Sequence, residues 1–135
     1  MKTLTLEDLR RTLDARFDGL LRAGKHDIAS GQCCSLELRS ACLSLNWTDD
    51  PQKTHDWDLR PFNDTAVSAQ VRTEHFLPVL AAYGGALDWP EERQQRVAKR
   101  LAIGTLNVLI AELPGLSEEA RAQCRTADSL AAAGE

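Results

Sequence analysis

From Asn46 to Asp64 the chain reads NWTDDPQKTHDWDLRPFND, with five aspartates, one histidine and two tryptophans in a stretch of little helical pattern. Three chemistries suit those residue types. An imidazole and carboxylates can ligate a metal, with His55, Asp56 and Asp58 as donors and Asp49 or Asp50 completing the set. Carboxylates around a cleft can do acid/base work or hold a ligand, and Glu37, Asp49 and Asp64 are the candidates. Tryptophan and arginine are enriched among residues that carry interface energy, so Trp47, Trp57 and Arg60 would suit a partner-binding surface. Each has a plainer counterpart. Loop carboxylates mostly cap helices or face water, and a tryptophan beside turn residues closes one end of a core while its indole N–H finds a carbonyl.

The spacing favours the plainer side for the metal. No His-Glu-x-x-His helix, calcium loop or paired Cys-x-x-Cys occurs, and no metal or other cofactor is expected. The chain also lacks a phosphate-binding Gly-x-x-x-x-Gly-Lys loop, a Gly-x-Ser-x-Gly elbow and a dinucleotide fingerprint, so an enzyme of those classes would lack its required parts and no catalytic residue is assigned. Of the four cysteines, Cys34 and Cys42 share an apolar stripe and read as core, Cys33 turns toward a helix flank and Cys124 stands alone; all four are expected as thiols. His26 and His75 are expected to be exposed.

Helices must position these groups. Thr5 followed by acids reads as an N-cap, and Leu6, Leu9, Leu13, Phe17, Leu20 and Leu21 recur at helical spacing until Gly24. A second helix is expected from near Asp27 or Ser30. Its main stripe is Cys34, Leu38, Ala41, Cys42 and Leu45, and Leu36 with Leu43 forms a stripe on the other side, so it should sit centrally with Glu37 at the stripe's edge. Ser68 caps a helix carrying Phe76, Leu77, Leu80 and Tyr83, which Pro78 should kink or split before Gly84 and Gly85 end it. Asp88-Trp-Pro-Glu91 reads as the start of a long helix, capped at Asp88, whose half from Leu101 to Leu113 is apolar nearly all round and belongs in the core. Pro114 and Gly115 break it, Ser117 with Glu118 and Glu119 starts a last helix, and residues 131–135 read as a fraying tail. No strand or repeat is legible.

A chain of 135 residues that is 43% hydrophobic buries one core but hardly two, so one helical domain over 1–135 is expected, with ordered core from about residue 5 to 130. No apolar run approaches the ~20 residues that span a bilayer, and the N-terminus lacks a signal-peptide core; the expected place is the cytoplasm, away from membranes. A formal charge of −4 argues against nucleic acid as a partner. The basic run Arg93 to Arg100 follows Glu91 and Glu92 with no interleaved aromatic, and reads as a solvated helix face.

Cys34-Ser-Leu-Glu37, Trp47-Thr-Asp-Asp-Pro51, Asn63-Asp64, and Arg72 with Leu77-Pro78 together resemble the signature of a group of uncharacterised bacterial all-helical proteins of no known activity. The resemblance runs from about Cys34 to Cys124, and between Pro51 and Asn63 this chain is shorter and richer in aspartate. It implies the fold alone. The signature positions are polar or aromatic, unlike ordinary core, which suggests that Glu37, Asp49, Arg60, Asn63, Asp64 and Arg72 form one hydrogen-bonded network under Trp47, with Glu37 paired to Arg60 or Arg72. The expectation from sequence is therefore an all-α bundle of five or six helices with one long irregular loop. Its expected role is a non-enzymatic interaction or adaptor module whose partner is another protein. The alternative is a small enzyme or ligand-binding protein using the cleft of Glu37, Asp49 and Asp64.

Overall fold

Thr5 begins the first helix as the sequence requires. Its hydroxyl accepts from the N–H of Asp8, and the Asp8 carboxylate accepts in return from the N–H of Thr5, so two otherwise unpaired donors are satisfied. In the computed structural model, which describes residues 3–128, six α-helices follow in order: α1 Leu6–Arg16, α2 Ser35–Cys42, the single turn α3 Arg60–Asn63, α4 Ala69–Tyr83, α5 Glu91–Val108 and α6 Glu118–Thr126. Among the described residues there is no strand, only one isolated bridge between Leu21 and Cys33, and no helix is long and apolar enough to cross a membrane. The tail expected to fray lies outside the described residues.

The all-α expectation holds, with several boundaries moved. α1 stops at Arg16 rather than near Gly24, because Asp18 and Gly19 take left-handed backbone and the Gly19 N–H closes back on the Leu13 carbonyl. Leu20 and Leu21 therefore leave the helix, and residues 20–26 run as a connecting strap. α2 starts at Ser35, not near Asp27 or Ser30, where only one isolated 3-10 turn forms. α4 runs unbroken through Pro78, which is exposed, as is Glu74, whose carbonyl it leaves without a helical N–H partner. The cap of α5 lies two residues after the expected one: Asp88 belongs to a preceding 3-10 turn, Ala86–Asp88, and Pro90 stands just before the first helical residue, Glu91.

Leu9 and Leu13 of α1, Leu38 of α2 and Phe76, Leu77 and Leu80 of α4 make the centre of the core. α2 is at its heart, with Ser35 through Ser40 all buried. The apolar half of α5 is less central than the sequence suggests, since Leu101, Thr105 and Leu109 are buried while Val108 is exposed. α6 covers another side of it, where the Asn107 side-chain amide donates to the carbonyls of Cys124 and Ala127 and Arg121 donates to those of Ala111 and Leu113.

Candidate functional site

Because α2 is buried all round, its two charged residues, Glu37 and Arg39, must be neutralised inside the protein. Glu37 has no exposed surface. Its Oε1 accepts from the Cys34 N–H at 2.8 Å and from His26 Nδ1 at 2.9 Å, and its Oε2 accepts from the His26 N–H at 2.8 Å. Three donors converging on acceptor oxygens assign the ring proton to Nδ1. Glu37 thus stands three residues after the N-cap Cys34 and returns a hydrogen bond to it, which explains the spacing of Cys34-Ser-Leu-Glu37 as a helix start. The expected pairing of Glu37 with Arg60 or Arg72 is corrected: neither arginine reaches it. His26, expected to be exposed, is half-buried against it because the strap turns its main chain and its ring toward the same carboxylate.

The strap is the hub of what the signature residues do. Arg72 donates to the carbonyls of Leu21, Asn63, Thr65 and Val67, and Thr73 accepts from the Leu21 N–H. Asn63 accepts from the N–H and hydroxyl of Ser35 and donates to the Arg22 carbonyl and to Asp64. Asp64 accepts from the Gly24 N–H at 2.7 Å, and the Trp47 indole donates to the His26 carbonyl at 2.7 Å while its ring lies 5.6 Å from Phe17. Five of the eight suspected residues, Glu37, Trp47, Asn63, Asp64 and Arg72, therefore converge on one extended segment. Burial pulls the Arg72 guanidinium below its ordinary range, which the charge of Asp64 partly offsets.

The other three lie outward. Arg60 is exposed and grips Asp58 through two parallel hydrogen bonds of 2.9 and 3.0 Å. Asp49 and Asp50 are close enough to add to the field that raises Arg60. Trp57 stacks on Tyr83 with ring centroids 5.8 Å apart, meets Trp89 edge-on, and donates to Gln94 of α5 at 3.0 Å. Arg93 covers the Trp89 ring at 3.9 Å from its centroid.

A second buried charge pair went unforeseen. Arg39, on the Leu36–Leu43 side of α2, donates from Nε to Asp56 at 2.8 Å, and Asp56 also accepts from the Gly85 N–H. Gly84 is required beside it, because a Cβ there would come within 2.5 Å of the Arg39 guanidinium. The signal in the sequence is Leu36-Glu-Leu-Arg39 on a helix apolar on two sides, which leaves a charge on the second stripe no exit to water.

These contacts also separate the suspected ligands and carboxylates. His55, its backbone left-handed, binds both oxygens of Asp88; Asp56 binds Arg39; Asp58 binds Arg60. No group of three or more potential ligands converges among the described residues. Glu37 is sealed and Asp64 is occupied by the strap. The recess that does open beside the loop, about 310 Å3, is lined instead by Asp50, Asp56, Asp58, Trp57, Arg60 and Leu87 among others. The cysteines are free, and Cys33 is buried rather than on a flank. Burial, first of all causes, pushes the Cys33 thiol far up and the Cys34 thiol to about 12, the opposite of an activated nucleophile.

Comparison with known proteins finds no matching family, no similar curated protein and no similar solved structure, so a functional reading rests on this geometry.

Proposed function

We propose that the chain is a non-catalytic protein-interaction module that receives another protein on the outer face of its long loop. The observation that carries this reading is the division of labour between the loop's two faces. Inward, Asp56 is locked to Arg39 and the strap contacts consume Glu37 and Asp64; outward, Trp57, Arg60 and Leu87 border an open recess held in place by those buried contacts. Leu87 is 43% exposed although large and apolar, and its N–H is tied to the His55 carbonyl, so the recess is fixed before any partner arrives. A rigid aromatic, an arginine and an aliphatic side chain around a preformed concavity are the ingredients of an interface anchor.

The test is affinity capture from the cells of origin with wild type, Arg60→Glu and Leu87→Asp, followed by binding of the purified captured protein. The expected result is one protein retained by wild type whose affinity drops at least about tenfold in both variants, equal to about 1.4 kcal/mol. Binding that is unchanged in both variants, with folding intact, rejects the recess as the interface.

A further inference from the structure

A second concavity has no part in that reading. Between α1 and α4 lies a groove of about 510 Å3 whose floor is buried Leu77 and whose walls carry Thr73 and Pro78; Leu6 stands at its edge, 46% exposed. Leu6 and Arg10 are one turn apart on α1, and Glu74 and Pro78 one turn apart on α4, so each helix offers one face to the groove. The rim is of mixed sign: Glu7 and Arg10 from α1, Glu74 from α4. A partner of uniform charge would meet repulsion somewhere along it. A second copy of the chain presents the matching features, an exposed Leu6 and an Arg10 opposite in sign to Glu74, and a two-fold axis brings each to its complement twice.

We infer that this groove is a self-association surface whose occupant is α1 of a second copy of the chain, with Leu6 of each copy seated in the groove of the other and Arg10 of each facing Glu74 of the other. A surface that carries both the knob and the hole meets the requirement of a two-fold interface, where one patch must complement itself. The present contacts of the charged groups do not oppose the exchange. Arg10 reaches Asp14 at 3.5 Å and Glu7 reaches Arg11 at 3.5 Å, all at exposed positions, and Glu74 accepts a 3.3 Å bond from Gln70. The patch is far smaller than the roughly 20–30 residues a side of a standard interface, so the dimer is weak and forms with rising concentration.

Sedimentation equilibrium on the intact chain, from dilute solution to the solubility limit, tests the inference. Wild type should shift from monomer to dimer. Leu6→Asp, at an exposed first-turn position where an acid suits the helix, should weaken dimerisation at least about tenfold with the helical circular dichroism unchanged. Arg10→Glu alone and Glu74→Arg alone should each lose dimer, whereas an equimolar mixture of the two should regain it, because both cross-pairs are then of opposite sign. A wild type that stays monomeric throughout overturns the inference, as does dimerisation indifferent to Leu6→Asp. Failure of the mixture to recover would remove the two-fold pairing of Arg10 with Glu74.

Discussion

Asp56 and Asp58 sit two residues apart in the same loop, and each holds an arginine at nearly the same distance, 2.8 Å to Arg39 and 2.9 Å to Arg60. Their surroundings differ. The Arg39 and Asp56 side chains are 2% and 3% exposed, whereas those of Arg60 and Asp58 are 44% and 47% exposed. The first pair joins α2 to the loop and, through the Gly85 N–H, to the end of α4; the second is a contact across two residues that the chain would hardly miss. Burial, not contact distance, separates a pair that fixes the fold from one left at the surface.

The largest effect expected from that contrast is on the inner pair. Arg39→Ala or Asp56→Ala should cost about 3–5 kcal/mol in denaturant unfolding, since each leaves an opposite charge buried and unpaired. The double substitution should cost much less than the sum. Strict additivity would mean that the two charges do not depend on each other.

Glu37 comes next. Glu37→Ala strands the buried N–H of Cys34 and both donors of His26, and should cost about 3 kcal/mol. A double-mutant cycle with His26→Ala should show coupling, and one with Arg60→Ala should be additive within about 0.5 kcal/mol. Coupling to Arg60 instead would restore the pairing that the sequence suggested.

The third effect is a pH dependence. His75 packs edge-on against Phe76, with Thr105 Oγ1 3.5 Å from its Nε2, and burial holds its imidazolium below the ordinary range. The unfolded chain therefore takes up a proton near pH 6.5 that the folded chain refuses until lower pH. Stability from this residue is full above that value and falls as the pH drops through it, by no more than about 1.4 kcal/mol per pH unit, until the folded group also titrates. The difference in unfolding free energy between wild type and His75→Gln, followed from neutral to acid pH, should show this slope. A difference that is flat with pH would place His75 in water.

The outer pair gives the smallest effect. Asp58→Ala should change stability by less than about 1 kcal/mol, and less still in high salt. Hydrogen bonds from Arg60 hold the Asp58 carboxyl below its ordinary 3.8, so the small contribution is present above that value and disappears as the pH falls through the lower folded one. A cost comparable to that of Asp56→Ala would erase the distinction between the loop's two faces.

The sequence by itself determined where three of the six helices begin and that, among the described residues, the regular elements are helices. Thr5, Ser68 and Ser117 each cap the helix expected of them, because a cap is a contact across three residues and needs no tertiary partner. It also singled out Glu37, Asp49, Arg60, Asn63, Asp64 and Arg72 as one polar network, of which Glu37, Asn63, Asp64 and Arg72 meet at the strap while Asp49 and Arg60 lie outside it. Only the tertiary structure decided what each of them holds. The Asn63 bond to Ser35 spans 28 positions, that of Asp64 to Gly24 spans 40, and that of Arg72 to Leu21 spans 51, all through backbone groups that look alike in every sequence. The early end of α1 is the reason. Once Asp18 and Gly19 turn the chain out of the helix, several N–H and carbonyl groups of residues 21–26 lack a helical partner, and the side chains that satisfy them come from wherever the fold brings α2, α3 and α4 alongside.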